Sequence, residues 1–349
     1  MSGFLPNKAA YYAKVIKMGS RMSHFKVLYT DRGDYSVDFD IERPIYEAIG
    51  AEIVDARLDH NAIDWDVYQR QLAEADALIC FRMPVDRRAL EAAPKLKVAV
   101  RSGVGYENFD LQAFNERGIP ACNVPDYGSE EVAMHALSLM LALRRRILYF
   151  DCQLRRGLWR GWPKGLPMWR LTNQTAGVVG LGRIGSQFAK SARVIFGQVL
   201  ACDPYIPAEA FSAAGVEPVG LDELLERSDN VTLHVPLTTK TRHLIGEPQL
   251  RRMKSTSVLV NTSRGLVVDQ LALAEALQSR TIEGAACDVW EHEPARLDHP
   301  LFECDNFIGS PHVAGLSVEG NADNRIKQAQ EVVRVLQGQP PRNPVVAEE

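Results

Sequence analysis

Three polar segments follow short apolar runs in the C-terminal half of the chain. They read Asn-Thr-Ser-Arg-Gly at 261–265, Asp-Val-Trp-Glu-His-Glu-Pro at 288–294 and Ser-Pro-His at 310–312. Arg264 carries a planar, permanent charge that suits a carboxylate, although a surface salt bridge is the simpler interpretation. His312 can donate a proton near neutral pH, although a histidine after a strand is often structural. A carboxylate beside His312 would orient the ring and favour its protonated form. These segments indicate acid–base chemistry on a small acid.

A glycine-rich turn indicates that the chain also binds a dinucleotide. Gly180, Gly182 and Gly185 have the spacing G-x-G-x-x-G, between the apolar run Ala176–Val179 and the helical pattern Ile184–Phe196. The first glycine permits a tight turn, the second a close approach of pyrophosphate, and the third close packing of helix on strand. The helix N-terminus offers unpaired N–H groups to the phosphates. A glycine-rich turn without a ligand is the alternative, but the strand before it and the helix after it favour the dinucleotide.

Asp203 predicts which dinucleotide binds. It ends a second predicted strand, Val199–Cys202, eighteen residues after Gly185. Its carboxylate can accept hydrogen bonds from an adenosine ribose and would repel a 2′-phosphate. The predicted cofactor is therefore NAD rather than NADP.

The elements that must position these residues alternate between strands and helices. A first series runs from Phe25–Tyr29 to Leu96–Val100 and has no glycine-rich phosphate turn, and a second runs from Ala176–Val179 to Phe307–Gly309. Such alternation predicts parallel sheets covered on both faces. The fold class is therefore α/β, with two Rossmann-like or flavodoxin-like parallel-sheet domains and a cleft between them. The expected boundaries are 23–120 plus 313–349 for a flavodoxin-like substrate domain and 121–312 for the NAD-binding Rossmann domain.

Composition excludes several classes of function. The chain has 349 residues, 46% of them hydrophobic and 24% charged, and a net charge of −4, which gives no electrostatic case for binding nucleic acid. No apolar run approaches the roughly 18–20 residues that cross a bilayer, so no membrane partner is expected. The six cysteines form no C-x-x-C pair and are predicted to be free thiols in the cytoplasm, without a metal site. Residues 1–22 are expected to be a disordered extension, from a vector or upstream sequence, with a transit peptide as the alternative.

A long apolar helix follows the first series. Ser129 is its predicted N-cap, and Glu130 and Glu131 favour its first turn. The helix is rich in Leu, Met and Ala up to Leu143. A core helix of one subunit would have this composition, but we favour a helix at 129–146 that packs against a second subunit in a homodimer.

Together these motifs resemble the D-isomer-specific 2-hydroxyacid dehydrogenase family, and the resemblance covers almost the whole chain from Phe25 to about Val346. Beyond the motifs above, it depends on Arg-Ser-Gly-Val-Gly-Tyr-Glu-Asn-Phe-Asp at 101–110 and His-Val-Pro-Leu at 234–237. The family implies that the enzyme interconverts a small D-2-hydroxy acid and its 2-oxo acid by hydride transfer with NAD. It also implies a catalytic set of Arg264 as carboxylate clamp, Glu293 as partner of the histidine and His312 as acid–base.

The resemblance also implies the residues around the ligands. Backbone N–H groups of the turn after Arg101 would meet the substrate carboxylate, and Asp288 would face the nicotinamide carboxamide. The implied substrate contacts are Arg101, Ser102, Gly103, Val104, Arg264 and His312. The implied cofactor contacts are Gly180, Gly182, Arg183, Ile184, Gly185, Asp203, His234, Pro236, Thr262, Arg264, Asp288 and His312.

Departures from the family pattern leave alternatives open. Met134 stands where many relatives have an acid, and Asn173-Gln174 replaces a glycine and a basic residue, which affects packing or substrate choice more than chemistry. An NAD(H)-sensing binding protein of the corepressor type and a phosphite-type dehydrogenase share the fold, whereas formate enzymes lack the counterpart of Glu293. Only 37 residues follow His312, so we expect no added regulatory domain.

Overall fold

The computed structural model describes residues 25–31, 38–159 and 167–346. The predicted extension at 1–22 lies outside these residues. Part of the segment 157–171, which contains three tryptophans, also lies outside them. Within the described ranges, no helix is both long enough and apolar enough to span a membrane.

The first part of the chain alternates buried strands with short helices, because apolar runs of four or five residues are separated by Asp-capped helical segments. Asp64, Asp86 and Asp110 each accept a backbone N–H in the first turn of the helix that they precede. The elements are β1 (Phe25–Tyr29), α1 (Glu42–Glu47), β2 (Ala51–Asp55), α2 (Trp65–Leu72), β3 (Ala77–Cys80), α3 (Arg87–Glu91), β4 (Val98–Arg101), α4 (Leu111–Arg117) and β5 (Ala121–Cys122).

The second part begins with two helices and continues as a second strand–helix series. Its elements are α5 (Ser129–Arg144), α6 (Ile147–Arg155), β6 (Thr175–Val179), α7 (Arg183–Ala192), β7 (Gln198–Cys202), α8 (Ala208–Ala214), β8 (Glu217–Pro218), α9 (Leu221–Arg227), β9 (Asn230–Leu233), α10 (Glu247–Arg252), β10 (Val258–Asn261), α11 (Gln270–Gln278), β11 (Gly284–Cys287) and β12 (Phe307–Gly309). The chain then forms the terminal helix α12 (Val318–Leu336) and β13 (Pro344–Val345).

The strands form two sheets. One has six strands in the order β13-β5-β4-β3-β1-β2, parallel except that β13 runs antiparallel to β5. The other has seven parallel strands in the order β12-β11-β10-β9-β6-β7-β8. Nearly every central strand is buried on both faces, as expected for parallel sheets covered by helices. The predicted α/β class is confirmed.

The chain divides into two compact units. Of the described residues, those up to Tyr127 and those from Val318 to Val346 form one unit, and those within Gly128–Ser317 form the other. The expected boundaries at 120/121 and 312/313 were therefore misplaced by a few residues. The reason is that β5, assigned to the second domain from sequence, pairs with β4 in the six-stranded sheet.

Helix α5 is packed into the core of the second unit. Ala133, Ala136 and Met140 are fully buried in a cluster with Phe188 and Ala189 of α7. The predicted N-cap was wrong by one residue, because Gly128 is the N-cap and no side chain caps the helix. The Leu, Met and Ala content that suggested a second subunit is thus largely explained by packing within the chain.

Candidate active site

The carboxyl ends of six neighbouring strands in the second unit lie in register. The paired end residues are Cys202, Val179, Leu233, Asn261, Cys287 and Gly309, taken across the sheet. Each is followed by a residue that the sequence analysis singled out or that adjoins one, namely Asp203, Gly180, His234, Thr262, Asp288 and Ser310. Ligands of open parallel sheets bind at this edge, so one register places the predicted cofactor and acid–base residues together.

The glycine turn has the geometry that a pyrophosphate requires. Gly180 has φ +90°, and a Cβ there would meet the carbonyl group of His234. A Cβ on Gly182 would meet no atom within 4 Å, so the approach to the backbone is open. A Cβ on Gly185 would overlap the carbonyl oxygen of Gly180, which shows how closely α7 packs on the turn. The first turn of α7 has no side-chain cap and retains its N–H groups for an anion.

Asp203 holds the turn through both of its carboxylate oxygens. One carboxylate oxygen accepts the backbone N–H of Leu181 at 2.9 Å, and the other accepts that of Tyr205 at 3.0 Å. A carboxylate oxygen has capacity for a further hydrogen bond, so ribose hydroxyl groups can still be accommodated.

His234 and Thr262 present buried polar atoms that have no partner among the described residues. The Nε2 of His234 pairs with Thr232 Oγ1 at 3.0 Å, its ring packs against Phe188, and its Nδ1 makes no hydrogen bond. Thr262 Oγ1 is likewise without one. Burial lowers the pKa of His234 to about 3, so the ring is neutral at physiological pH. Orphaned polar atoms at this edge fit a bound cofactor, because buried polar groups normally have a partner.

The predicted cofactor residues Arg183, Ile184 and Pro236 lie close in sequence to Gly182 or to His234. Arg183 opens α7 and is exposed, whereas Ile184 is half-buried and packs against the core of the unit. Pro236 is exposed, and its carbonyl oxygen accepts the hydroxyl of Thr241 at 2.6 Å.

His312 and Glu293 form a close pair. Nδ1 of His312 is 2.7 Å from Oε2 of Glu293, and both side chains are partly exposed. The second oxygen of Glu293 accepts the backbone N–H of Trp290 at 3.2 Å. Glu291 points elsewhere and accepts the backbone N–H of Gln270 at the start of α11. The structure therefore places Glu293 rather than Glu291 beside the histidine, and leaves Nε2 of His312 as the atom able to exchange a proton with a ligand.

Asp288 organises the backbone around His312. Its side chain is fully buried and accepts hydrogen bonds from Ser310 Oγ, the Val313 N–H and the Ala314 N–H. Its own carbonyl oxygen accepts the His312 N–H at 2.7 Å. The resemblance assigned Asp288 to the nicotinamide, but both carboxylate oxygens are engaged by this loop.

Arg264 is oriented by its neighbours at the end of β10. Asn261 donates to the Arg264 carbonyl oxygen at 2.9 Å, while its own side-chain oxygen accepts both the N–H and the hydroxyl of Ser263. Nη1 of Arg264 donates to the carbonyl oxygen of Ser263 at 2.8 Å. The arginine is thus fixed at the same edge as the His312–Glu293 pair.

The predicted substrate residues Arg101–Val104 lie in the first unit, at the end of β4. Gly103 has φ +131°, and its carbonyl oxygen accepts the Val124 N–H. The N–H of Ser102 donates to the carbonyl oxygen of Cys80 at 2.8 Å. The N–H groups of Gly103 and Val104 donate to no described residue in the structure.

Two guanidinium groups lie close to one aromatic ring beside this turn. The Arg101 guanidinium lies 4.9 Å from the centroid of the Phe81 ring, and that of Arg82 lies 5.3 Å from it. Met83, which follows Arg82, is fully buried in the core. Sequence reasoning missed Asp31, whose carboxylate accepts the N–H groups of residues 81–83 and so shapes their loop.

His135 and Ser310 were also missed as contributors. Nε2 of His135 lies 3.1 Å from Ser310 Oγ and 3.6 Å from Asp288 Oδ1. The sequence did contain a signal for His135, because it is a histidine within the otherwise apolar pattern of α5.

Comparison with known proteins identifies the family. Residues 137–314 match the family model described as D-isomer specific 2-hydroxyacid dehydrogenase, NAD binding domain. The chain belongs to this family. It is 42% identical over 278 residues to the D-3-phosphoglycerate dehydrogenase of Methanocaldococcus jannaschii, covering 79% of this chain and 52% of that protein. It is 40% identical over 276 residues to the glyoxylate reductase of Korarchaeum cryptofilum, covering 78% of this chain and 83% of that protein.

The fold is also similar to that of a solved structure. The D-lactate dehydrogenase of Aquifex aeolicus, complexed with NAD and lactic acid, matches with a TM-score of 0.80 and 27% identity, covering 93% of this chain and 100% of that one. The chain spans about half the length of its phosphoglycerate dehydrogenase relative. The matched family model is described as an NAD binding domain, which agrees with the predicted cofactor.

Proposed function

We propose that the protein interconverts a small D-2-hydroxy acid and its 2-oxo acid with NAD. The single observation that carries the proposal is the 2.7 Å pair of His312 and Glu293, at the strand edge that also holds the glycine turn. The unit Gly128–Ser317 is proposed as the NAD-binding domain, and the other unit as the substrate domain.

Each catalytic residue has a distinct role in this proposal. In the direction of reduction, Nε2 of His312 gives its proton to the carbonyl oxygen of the 2-oxo acid, and in oxidation it removes the hydroxyl proton. Glu293 pairs with Nδ1 and so orients the ring. Arg264 binds the substrate carboxylate and polarises the carbonyl group. NADH, when bound, supplies the hydride to C2.

The test is turnover with a panel of acids. Purified protein with NADH and glyoxylate, hydroxypyruvate, pyruvate or a branched 2-oxo acid is expected to consume NADH. His312→Ala should slow turnover by about a hundredfold or more, the usual contribution of a general acid. His292→Ala is the matched control, because His292 is exposed in the same loop as Glu293, and it should keep most of the activity.

Two outcomes would contradict the proposal. Constant absorbance across the panel at high enzyme concentration would favour an NAD(H)-sensing binding protein instead. Turnover unchanged in His312→Ala would remove the histidine from the mechanism. The named relatives are dehydrogenases and reductases, which does not favour the binding-protein or phosphite alternatives.

We also propose that the protein is a homodimer in the cytoplasm. The prediction from sequence used the helix at 129–146, but it is the next helix, α6, that has no buried residue. Ile147, Leu148 and Leu154 are each more than half exposed, and Trp159 is 86% exposed. Several exposed apolar side chains within one short segment favour association. Leu148→Glu with Leu154→Glu should halve the mass measured by light scattering, and an unchanged mass would exclude this face.

All six cysteines are free, which fits a reducing compartment.

A further inference from the structure

We propose that His135 of α5 is a positioning residue for His312, acting through Ser310 and Asp288. The inference rests on the proposed function, because it assumes that His312 transfers the proton. His135 touches none of the reacting atoms in this proposal and acts only through the loop that carries His312.

The hydrogen-bond chain from His135 has one consistent direction. Asp288 accepts from backbone N–H groups of Val313 and Ala314 at 3.0 and 2.8 Å, so its carboxylate acts purely as an acceptor. Ser310 Oγ lies 2.5 Å from the same carboxylate and must donate its single hydrogen to it. The Ser310 oxygen then accepts from Nε2 of His135 at 3.1 Å. His135 therefore carries its proton on Nε2.

Asp288 receives three consecutive amide groups of the catalytic loop. The His312 N–H donates to the carbonyl oxygen of Asp288, and the next two N–H groups donate to its carboxylate. His312 itself has φ +55°, a left-handed conformation that a residue with a Cβ keeps only when its surroundings impose it. The fully buried Asp288 accepts all three of these amide groups, so its orientation fixes the backbone from which the imidazole projects.

Helix α5 provides a rigid support for this arrangement. Besides His135, its face bears Glu131, which accepts the Ser317 hydroxyl at 2.6 Å. The preceding Gly128 lies against Gly315, where a Cβ would stand 3.4 Å from the carbonyl oxygen. Three positions on one side of the helix N-terminal half thus contact the segment 310–317. Since α5 is anchored in the core through Ala133 and its neighbours, the loop is held by a rigid element rather than by other loops.

The charged carboxylate of Asp288 has its Oδ1 3.6 Å from Nε2 of His135 and favours a donor at that nitrogen. A leucine at this position would fill similar space but offer the Ser310 oxygen no hydrogen. A glutamine would place an amide N–H near the same point.

The test compares His135→Leu with His135→Gln. We expect His135→Leu to lower kcat by about tenfold or more, because small displacements of a reacting group are costly, while KM for NADH stays within about twofold. We expect His135→Gln to keep most of kcat, since it restores the donor. Ser138→Ala, exposed on the same helix, is the matched control and should behave as wild type.

A second measurement does not depend on activity. Hydrogen exchange in peptides spanning 310–317 of the NAD-free protein should be faster in His135→Leu than in His135→Gln or wild type. Should His135→Leu not fold, Ser310→Ala removes the middle group of the chain and is expected to show the same loss of kcat and the same faster exchange.

Failure of the proposed function can be distinguished from failure of the positioning inference. No turnover by wild type on the whole panel would reject the proposed function, and equal exchange in all variants would independently reject the support by His135. Turnover by wild type with kcat equally high in His135→Leu, or equally low in the Leu and Gln variants, would overturn the positioning inference alone.

Discussion

Gly265 lies directly against the backbone of Trp290, so that a Cβ on the glycine would overlap the tryptophan carbonyl group and the next amide nitrogen. This contact joins the loop that carries Arg264 to the loop that carries Glu293. Trp290 extends the connection, because its indole N–H donates to the Ser310 carbonyl oxygen at 3.0 Å. The three loops with the proposed catalytic residues are thus held together by a close backbone contact and by a hydrogen bond from the Trp290 side chain.

Gly265→Ala should therefore damage both stability and catalysis. Backbone atoms cannot rotate away from the new methyl group, so one loop must move, at a cost of about 1–3 kcal/mol in the free energy of unfolding. kcat should fall with it, since Arg264 and Glu293 shift relative to each other. Gly220→Ala is the control, because a Cβ there meets nothing within 4 Å. Equal denaturation midpoints and equal kcat in the two variants would show that the contact is unimportant.

Asp203 should determine the choice of cofactor. Asp203→Asn keeps an acceptor near the Leu181 N–H but removes the charge that repels a 2′-phosphate. Like charges in contact cost several kcal/mol, so the ratio of kcat/KM for NADH over NADPH should fall by at least about tenfold. Initial rates with both cofactors at matched 2-oxo acid concentration give this ratio. Wild-type protein that uses both cofactors equally would disprove the argument.

His234 should make the folded protein sensitive to acid. Its pKa is about 3 in the folded state, because burial disfavours the charged ring, against about 6.5 when unfolded. Unfolding therefore takes up a proton below pH 6.5, and the free energy of unfolding falls as the pH is lowered from about 6.5 towards 3, by at most about 1.4 kcal/mol per pH unit. His234→Gln lacks this proton uptake.

The measurement is urea denaturation of wild type and His234→Gln at several pH values between 7 and 4. The difference between their unfolding free energies should change in favour of the variant as the pH falls. A difference independent of pH would mean that the ring is not kept neutral by burial.

Arg325 should be essential to the stability of the first unit. Its guanidinium makes two hydrogen bonds to Glu42, at 2.8 and 2.6 Å, and thereby ties α12 to α1. Glu42 is only 1% exposed, so Arg325→Met would leave a buried charge unpaired and lower the free energy of unfolding by about 3–5 kcal/mol. Arg325→Met combined with Glu42→Gln should recover part of this loss. A double variant no more stable than the single one would contradict the account, as measured by chemical denaturation.

Local patterns in the sequence predicted most of the elements. The strands Phe25–Tyr29 and Phe307–Gly309 were placed to the residue, and the predicted strands Ala176–Val179 and Val199–Cys202 each began one residue late. Each is a continuous apolar run or a helical pattern bounded by breakers, which local chemistry defines. Missed were α4, α6, α8 and the short strands β8 and β13. Two-residue strands have no periodicity, and α6 has no buried face to produce one.

The assignment of β5 shows where local reasoning fails. The run Ala121–Val124 reads as a strand, but nothing in those residues says which sheet they join. Pairing with β4 and with β13, more than 200 residues away in sequence, decides it. Strand partners are a property of the whole fold, because any parallel strand can in principle extend either sheet.

By itself, the sequence determined the family, the cofactor turn, Asp203 and the three strand ends with Arg264, Glu293 and His312. These follow from residue types at fixed spacings, and spacing along a strand–turn unit dictates local geometry. Only the tertiary structure decided that His135 of a distant helix contacts Ser310, that Asp288 serves the His312 loop, and that α5 packs within its own unit. Such contacts join residues far apart in the chain. Their energies depend on which buried polar groups are hydrogen-bonded to one another in the folded protein.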